Sequence, residues 1–361
     1  MNIDEALKKR LGEIVEPSSG MTLASLEAVK GAAVSGAKAA IDLRLGFPLE
    51  RGRSALRSAV EAGALEVPGI ESVVVDIASR VQAHRVQQGL DPLPGIKNVI
   101  AVASGKGGVG KSTTAVNLAL ALNQEGARVG VLDADIYGPS VPRMLGISGK
   151  PESRDGHHLE PMRNHGLQAM SIGFLVSEDT PMIWRGPMVT QALQQLLSET
   201  RWDDLDYLII DLPPGTGDIQ LTLCQRIPVS GALIVTTPQD IALLDARRAL
   251  QMFKKVDVPV LGVIENMSMH LCSNCGHAEP IFGSGGGEKM ATEFGLQLLG
   301  QLPLAMAIRE QADAGAPTVA ADPDGAISEA YRCCALAAVA RLSVESRSKR
   351  IAFPNIVVQD S

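Results

Sequence analysis

The chain has 361 residues, a formal net charge of −7 and a hydrophobic content of 45%. At roughly 100–200 residues per domain, this is enough for two or three domains, and it excludes a chain that is mainly disordered. The acidic balance argues against a general nucleic-acid-binding protein, which needs basic side chains to neutralise phosphates. The first residues lack an apolar signal core and no uncharged apolar run reaches about 18 residues. We therefore expect a cytoplasmic protein that binds neither a membrane nor nucleic acid.

The N-terminal part, residues 1–83, is predicted to form a small α+β domain. Apolar and polar residues alternate over residues 41–45, which is typical of a half-buried strand. A helix is expected over residues 53–62 and a second strand over residues 72–77. Residues 84–95 are polar and contain Pro and Gly, which indicates an interdomain linker.

Residues 96–361 are predicted to form a doubly wound, mostly parallel α/β sheet. Five apolar runs are continuous rather than alternating, as in strands buried on both faces. The runs cover residues 99–102, 129–132, 207–210, 232–235 and 260–264. Helix-compatible segments separate most of them, which is the βαβ pattern. Ligands of such sheets bind at the carboxyl ends of the strands, so functional residues are expected there.

A glycine-rich loop follows the first of these strands directly and opens a helix. Its residues are Gly105, Lys106, Gly107, Gly108, Val109, Gly110, Lys111, Ser112 and Thr113. In this setting backbone N–H groups bind phosphate, Lys111 reaches the β- and γ-phosphates, and Ser112 offers its hydroxyl to Mg²⁺. The loop therefore predicts a P-loop NTPase, the alternative being a glycine-rich turn without a ligand. Lys106 is a second lysine that the pattern does not require, and a solvated loop lysine is its alternative interpretation.

Further polar residues follow three later strands of this domain. Asp133 and Asp135 are placed to approach Mg²⁺ or to position an attacking water, and Asp211 ends its strand as a Walker B acid does. Gly215 brings flexible backbone near the γ-phosphate, and Asn266 is a candidate for contact with the base. In-line hydrolysis needs little more than charge neutralisation and a positioned water. A helix or turn cap is the alternative role for each aspartate.

Cys272 and Cys275 form a Cys-x-x-Cys pair whose spacing lets both thiolates face one metal. The chain has no second such pair, so a site of four thiolates needs two chains. A zinc site completed by His270 or His277, a dithiol redox pair and two inert thiols are the alternatives. The other three cysteines are expected to be packing residues: Cys224, Cys333 and Cys334.

With these groups in place, the chain resembles the Mrp/ApbC family of ATP-dependent iron–sulfur cluster carriers over about residues 97–340. The resemblance implies a homodimeric ATPase in which Lys106 reaches the partner's nucleotide. It also implies that Cys272 and Cys275 hold a labile cluster, expected to be 4Fe-4S, between protomers, and that the cluster passes from an assembly scaffold to apo-proteins. Besides the two-lysine loop and the cysteine pair, the resemblance rests on residues 133–140, 184–188, 211–218 and 265–268.

The same resemblance implies individual roles at the nucleotide site. Lys111 and Ser112 bind ATP and Mg²⁺, and Asp211 orders the metal through water. Asp135 helps to place the attacking water, and Asn266 meets the adenine.

The first 83 residues resemble the MIP18-like domain that often precedes this ATPase. Many such domains carry a cysteine before a proline at the turn after the second long strand, whereas here Phe47 precedes Pro48. We therefore expect partner contact, or no separate role, from this domain.

Two other classes of function stay open. A MinD/ParA-type positioning ATPase uses the same loop, but its membrane-binding form needs a basic amphipathic C-terminal helix, and residues 350–355 include a proline instead. The other class is a zinc-stabilised nucleotide switch without cluster chemistry.

Overall fold

The structure of the protein is a computed structural model, which describes residues 3–87, 89–175, 186–272 and 274–348. The motif residues Trp184 and Arg185 and the C-terminal residues 350–361 lie outside these ranges. Among the helices that the structure describes, none is both long enough and apolar enough to cross a membrane.

The N-terminal domain is a three-stranded sheet with two helices. The strand order is β1-β2-β3, with β1 and β2 antiparallel and β2 and β3 parallel. Inward and outward side chains alternate along β2, as predicted, and the predicted helix and second strand are also found. The first helix and β1 were not predicted. In β1 the small residues Gly31, Ala32 and Ala33 separate the two valines, so the strand shows no clear apolar alternation. The elements are α1 (Ile3–Glu13), β1 (Val29–Ser35), β2 (Lys38–Leu45), α2 (Arg53–Leu65) and β3 (Ser72–Ser79).

The second domain is built on an eight-stranded sheet and a small hairpin. Its strands are β4 (Ile96–Ala103), β5 (Val129–Asp133), β6 (Met162–Asn164), β7 (Leu167–Ser171), β8 (Leu205–Asp211), β9 (Gly231–Thr236), β10 (Val260–Glu265) and β13 (Leu298–Gln301), with β11 (His270–Leu271) and β12 (Ala278–Glu279) in the hairpin. Its helices are α3 (Lys111–Gln124), α4 (Val141–Met144), α5 (Gly186–Glu199), α6 (Asp218–Arg226), α7 (Asp240–Lys255), α8 (Gly286–Glu293), α9 (Met306–Asp313), α10 (Thr318–Ala321) and α11 (Ala326–Ser348).

The order of the large sheet confirms the predicted fold class. It is β13-β10-β9-β4-β8-β5-β7-β6, and every neighbouring pair is parallel except β6 with β7. All residues of β8 and β9 are buried, because helices cover both faces of the sheet. The strand that follows β4 along the chain, β5, lies on one side of β4, whereas β9 and β10 lie on the other side. The strand order therefore reverses at β4, and the carboxyl end of β4 is the topological switch point at which ligands bind.

The N-terminal domain packs on the far end of α3 through one buried carboxylate. Glu125 has a fully buried side chain that accepts hydrogen bonds from the backbone N–H groups of Arg51 (2.9 Å) and Gly52 (3.4 Å) and from the Arg332 guanidinium (3.2 Å). Arg332 also donates to the Ser18 hydroxyl at 3.1 Å. The C-terminal end of α3 disfavours a negative charge. The N-terminus of α2, whose N-cap is Gly52, favours the same charge and offsets this effect. The Glu125 carboxylate thus links the two domains, and an ion pair of Arg51 with Asp324 links them as well.

The start of the predicted linker is held on the second domain. The backbone N–H of His84 donates to Asn98 Oδ1 at 3.1 Å. The Gln87 amide donates to the Cys224 carbonyl at 2.9 Å and accepts from the Val229 N–H at 2.8 Å. The domain boundaries at residues 83 and 96 stay a prediction, but the connection is fixed at its first residues.

Candidate nucleotide and metal sites

The glycine-rich loop joins β4 to α3, and packing accounts for two of its glycines. A Cβ at Gly105 would overlap the backbone of Asp245 in α7, and one at Gly110 would overlap the Asn266 amide. Gly110 is also the N-cap of α3, with a φ of 79°, and Gly108 has a φ of 82°. Both angles lie in the left-handed region, where side chains other than glycine are strained. The loop sequence is therefore dictated by close approach and backbone shape as well as by phosphate.

Lys111 and Asp211 meet in a buried ion pair at the carboxyl ends of β4 and β8. The Lys111 amino group lies 2.5 Å from Asp211 Oδ1 and 3.4 Å from the Ser112 hydroxyl. The pairing follows from the sheet order, since β4 and β8 are adjacent and Val102 is in register with Asp211. The sequence predicted both residues at this site but not their direct contact.

Asp211 keeps one acceptor without a partner. Its Oδ2 atom is buried and has no hydrogen-bond donor among the residues that the structure describes. Such an orphaned buried oxygen in a native fold calls for a ligand, a water or an ion. Carboxylate and hydroxyl oxygens are suitable donors to Mg²⁺ or to its bound waters, so Asp211 and Ser112 fit the metal predicted here.

Asp133 holds the turn that carries Asp135. Its carboxylate accepts from the N–H groups of Asp135 and Val141, both at 3.1 Å, and from the Ser171 hydroxyl at 3.2 Å. Burial, with a contribution from the negative charge of Asp211, raises the pKa of Asp133 to about 7. The predicted contact of Asp133 with the nucleotide stays a prediction, and its hydrogen bonds show that it holds this turn in place.

Asp135 is less buried and lies within electrostatic reach of the ion pair. Burial raises its pKa, while the charge of Lys111 opposes the rise. A carboxylate with a raised pKa takes up a proton from water more readily, which suits the predicted role beside an attacking water.

Two further parts of the predicted phosphate site contact residues that follow neighbouring strands. The Gly215 N–H donates to the Ser104 carbonyl at 3.1 Å, with Gly215 at a φ of 99°. The Lys106 amino group is half-buried and lies 3.5 Å from Gln239 Oε1, next to the start of α7. Gly107, the next residue of the loop, is exposed.

A mostly apolar cavity of about 190 Å³ opens beside the loop. Asn266 is one wall of it, and its amide donates to the Val109 carbonyl at 2.9 Å, which leaves the side-chain oxygen as an acceptor. A flat purine with one polar edge suits such a lining. Sequence reasoning found Asn266 and missed the opposite wall, which has no motif: Pro303, Leu304, Ala305 and Ile308.

The cysteine pair lies in the turn of the β11–β12 hairpin. The Cys272 N–H donates to the His277 carbonyl at 2.9 Å, and the Gly276 N–H donates to the Cys272 carbonyl at 2.8 Å. Backbone N–H groups of Cys275 and Asn274, and then the Cys275 thiol, lower the pKa of Cys272. Both cysteines are free, and Cys275 is exposed. The turn therefore favours the thiolate, the form that binds metal.

Among the side chains that the structure describes, no third ligand joins this pair. In the described ranges, no group of three or more His, Cys, Asp or Glu side chains is arranged to hold a metal. His270 instead has its Nδ1 atom 3.2 Å from the Leu304 carbonyl. The zinc alternative with one histidine thus finds no support in the described structure.

The remaining cysteines and Phe47 are packing residues. Burial raises the pKa of Cys224 and of Cys334 to about 12, as expected for inert thiols. Cys333 is half-buried, and burial together with the Glu329 carboxylate raises its pKa to about 11. Phe47 is fully buried in the core of the N-terminal domain.

Two family models match the chain in the order of its two domains. The model for the NUBPL iron-transfer P-loop NTPase of the ParA class matches residues 95–338, and the model for an iron–sulfur cluster assembly protein matches residues 4–77. The first alone spans more than half of the chain.

Individual proteins agree with these models. An iron–sulfur cluster carrier protein of Pseudomonas fragi is 60% identical over 266 residues, which cover 73% of this chain and 93% of that protein. A protein of the same name from Salmonella typhimurium is 51% identical over 323 residues, covering 89% and 88%. Among solved structures, a nucleotide-binding protein of Archaeoglobus fulgidus in complex with ADP is 36% identical, with a TM-score of 0.54 over 61% of this chain and 87% of that one.

The sheet order, the buried Lys111–Asp211 pair and the cysteine hairpin therefore occur together in a chain whose two domains both match iron–sulfur families. The fold and the loop make it a P-loop ATPase. The chain belongs to the iron–sulfur cluster carrier family of ParA-type P-loop NTPases.

Proposed function

We propose that this protein is an ATP-dependent iron–sulfur cluster carrier that works as a cytoplasmic homodimer. It receives a labile 4Fe-4S cluster from an assembly scaffold, holds it between two protomers and passes it to apo-proteins. The observation that carries the proposal is an asymmetry within the chain: the nucleotide site brings Lys111, Ser112 and Asp211 together in one chain, whereas the hairpin offers only two thiolates. The names of the relatives support the same conclusion.

The cluster is the cargo, and the hairpin supplies half of its ligands. Cys272 and Cys275 lie in one turn, and backbone N–H groups stabilise the Cys272 thiolate. Because Cys275 is exposed, the pair is accessible to a second copy. Two copies provide the four thiolates that a 4Fe-4S cluster takes. A cluster held by a joint between two chains is released when the joint opens.

Phosphate binding exchanges the partners of Lys111. Its amino group moves from Asp211 to the β- and γ-phosphate oxygens, since both arrangements keep the buried charge compensated. The Asp211 carboxylate that it leaves and the Ser112 hydroxyl would then be the groups that hold Mg²⁺. Mg²⁺, when bound, neutralises phosphate charge in the transition state.

The remaining groups position water and close the site. Asp135, on the turn held by Asp133, orients the attacking water, and the Gly215 N–H turns from Ser104 to the γ-phosphate. Lys106 is half-exposed on the same loop and acts across the dimer on the partner's nucleotide. Asn266 meets the adenine edge. Closure of the dimer around ATP then alters how firmly the cluster is held.

The test is iron, sulfide and zinc content per dimer after anaerobic reconstitution. Wild-type protein is expected to hold about four irons and four sulfides per dimer, and Cys272→Ala/Cys275→Ala is expected to lose them. The Cys333→Ala variant is the control, because it removes one half-buried thiol outside the hairpin. Zinc alone in the wild type, or iron that persists in the double variant, would overturn the carrier proposal in favour of a zinc-stabilised switch.

A further inference from the structure

The loop over residues 213–217 is held in place by two hydrogen bonds from different elements. The Gly215 N–H donates to the Ser104 carbonyl at 3.1 Å. The Gln220 side chain, from the first turn of α6, donates to the Pro213 carbonyl at 2.5 Å. One bond therefore fixes the loop to the phosphate-binding strand, and the other fixes it to the helix that follows.

Gln220 is buried, with 2% of the residue exposed, and its amide is only half satisfied. The Nε2 atom is bonded to Pro213, but the buried Oε1 atom has no donor among the described residues. Two other buried oxygens at the same edge of the sheet, Asp211 Oδ2 and Thr237 Oγ1, also have no donor there. Buried acceptors without donors are costly in a native fold and mark places where a second arrangement or a ligand supplies the missing bond.

We propose that Gln220 is a positioning residue for ATP hydrolysis: it anchors the Pro213 carbonyl as the fixed point about which Gly215 turns towards the γ-phosphate. The two prolines at 213 and 214 have restricted φ angles, so they form one stiff unit next to the anchor. Gly215, at a φ of 99°, supplies the freedom to turn. A charged phosphate oxygen is a stronger acceptor than the neutral Ser104 carbonyl, so the γ-phosphate competes successfully for this N–H.

This inference deepens the hydrolysis site of the proposed function and rests on the turning of Gly215. The anchor matters only for a nucleotide that carries a γ-phosphate, because ADP offers nothing to the Gly215 N–H. Gln220 therefore affects the discrimination of ATP from ADP and the turnover rate, and leaves ADP binding alone.

The experiment compares full-length wild-type protein with Gln220→Met and Gln220→Glu. Methionine keeps the shape and loses both polar atoms, whereas glutamate keeps the acceptor and loses the donor to Pro213. Gln195→Met, at an exposed position of α5, is the matched control. The measurements are the kcat and KM of Mg²⁺-ATP hydrolysis, the dissociation constants of ADP and of a non-hydrolysable ATP analogue, and the melting temperature.

In both Gln220 variants, kcat is expected to fall about tenfold, since misplacing a positioning group weakens transition-state contacts. ADP affinity is expected to match that of Gln195→Met, and the preference for the ATP analogue over ADP is expected to shrink. The melting temperature is expected to fall in both variants, and more in Gln220→Glu, because the Pro213 carbonyl loses its donor and the glutamate buries a charge. Unchanged kcat and preference in Gln220→Met would overturn the proposal. A joint loss of ADP affinity and melting temperature would also overturn it, because it would show that Gln220 only stabilises the fold.

The same data separate this inference from the carrier proposal. A wild-type protein that binds the ATP analogue and ADP equally would overturn the roles of Gly215 and Gln220 together. The metal content of the reconstituted dimer, measured without nucleotide, would be unaffected by that result.

Discussion

The nucleotide site and the cysteine hairpin are built by opposite means. The nucleotide site lies at the carboxyl ends of adjacent buried strands, and its Lys111–Asp211 pair is enclosed by the sheet and the helices on both faces. The hairpin is a two-residue ladder, His270 and Leu271 against Ala278 and Glu279, and its turn is largely exposed. The first site holds its buried ion pair within one chain, whereas the second presents two thiols that, in the proposed function, a second copy of the chain joins. In the proposed function, ATP is hydrolysed beside a buried ion pair, and the cluster is bound at an accessible surface.

The largest effect is expected from removing the lysine of the buried pair at the nucleotide site. Lys111→Ala is expected to reduce ATP hydrolysis at least about 100-fold, because the phosphate loses its main positive partner. It also leaves the Asp211 charge buried and uncompensated, which destabilises a fold by about 3–5 kcal/mol. The measurements are ATPase rate and chemical denaturation.

Lys106→Ala is the matched variant on the same loop. Because Lys106 is half-exposed and lies 3.5 Å from Gln239 rather than in the buried pair, its loss is expected to leave stability unchanged. Hydrolysis should still fall if it acts across the dimer. Equal loss of stability in both variants would show that the two lysines do not differ as the structure indicates.

The next largest effect is expected where α3 meets the N-terminal domain. Glu125→Ala leaves the Arg332 guanidinium without its buried partner and two backbone N–H groups of the α2 N-terminus without an acceptor. We expect a loss of about 3 kcal/mol of unfolding free energy. The measurement is urea denaturation, with ADP affinity as a second readout.

Glu329→Ala is the control, since Glu329 pairs with the same Arg332 but has a side chain that is 53% exposed. A partly exposed pair of this kind contributes only about 0–1 kcal/mol. Equal effects of the two variants would argue that the interdomain joint is no stronger than a surface ion pair.

Some of these features could be predicted from the sequence alone and others could not. The strands and the glycine-rich loop were predictable because burial on both faces and phosphate binding each impose a local pattern. The Lys111–Asp211 contact was not, since it depends on which strands are neighbours. Glu125 resembles an ordinary solvated helix end in the sequence, and only the packing of α2 against it shows why a carboxylate is buried there.

The lining of the apolar cavity beside Asn266 was also only partly predictable from the sequence. Asn266 was found because it follows a strand, whereas the wall around Leu304 lies almost forty residues further on and has no motif. Nor did spacing reveal that Gly105 and Gly110 are glycines because α7 and Asn266 approach them closely. Local chemistry leaves a signal in sequence, and long-range proximity does not.

A smaller effect of nucleotide on thiol reactivity is expected, because hydrogen bonds link the apolar cavity beside Asn266 to the cysteine hairpin. Leu304 lines this cavity, its N–H donates to the Met269 carbonyl at 2.8 Å, and its carbonyl lies 3.2 Å from His270 Nδ1 at the start of the hairpin. A nucleotide that orders this segment should also order the hairpin. We expect saturating ADP to change the alkylation rate of Cys272 by about fivefold.

Two substitutions sharpen this test. Leu304→Pro removes the N–H that bonds to Met269, so the nucleotide effect on Cys272 should disappear. Leu304→Ala keeps that bond and should preserve the effect. If ADP leaves the Cys272 rate unchanged in the wild type, the sites are independent in spite of their contact.

The smallest effect concerns the thiols themselves and follows from the lowered pKa of Cys272. A lowered pKa keeps the thiolate populated at lower pH, so the alkylation rate of Cys272 should reach half its maximum below the value of about 8.5 typical of a free thiol. Cys224 and Cys334, whose pKa values burial raises to about 12, should stay unmodified in the folded protein at neutral pH. The measurement is mass-resolved alkylation across a pH series, with denatured protein as the reference.

Cys275→Ala separates the two causes of the shift. The N–H groups of residues 274 and 275 lower the pKa of Cys272 more than the Cys275 thiol does, and the substitution removes only the thiol. The midpoint should therefore rise slightly and stay below that of the denatured protein. A midpoint equal to the denatured value would mean that the turn gives no backbone stabilisation to the sulfur. In that case the hairpin is an exposed pair of ordinary thiols, and a metal centre there would depend on the second chain for more than ligand number.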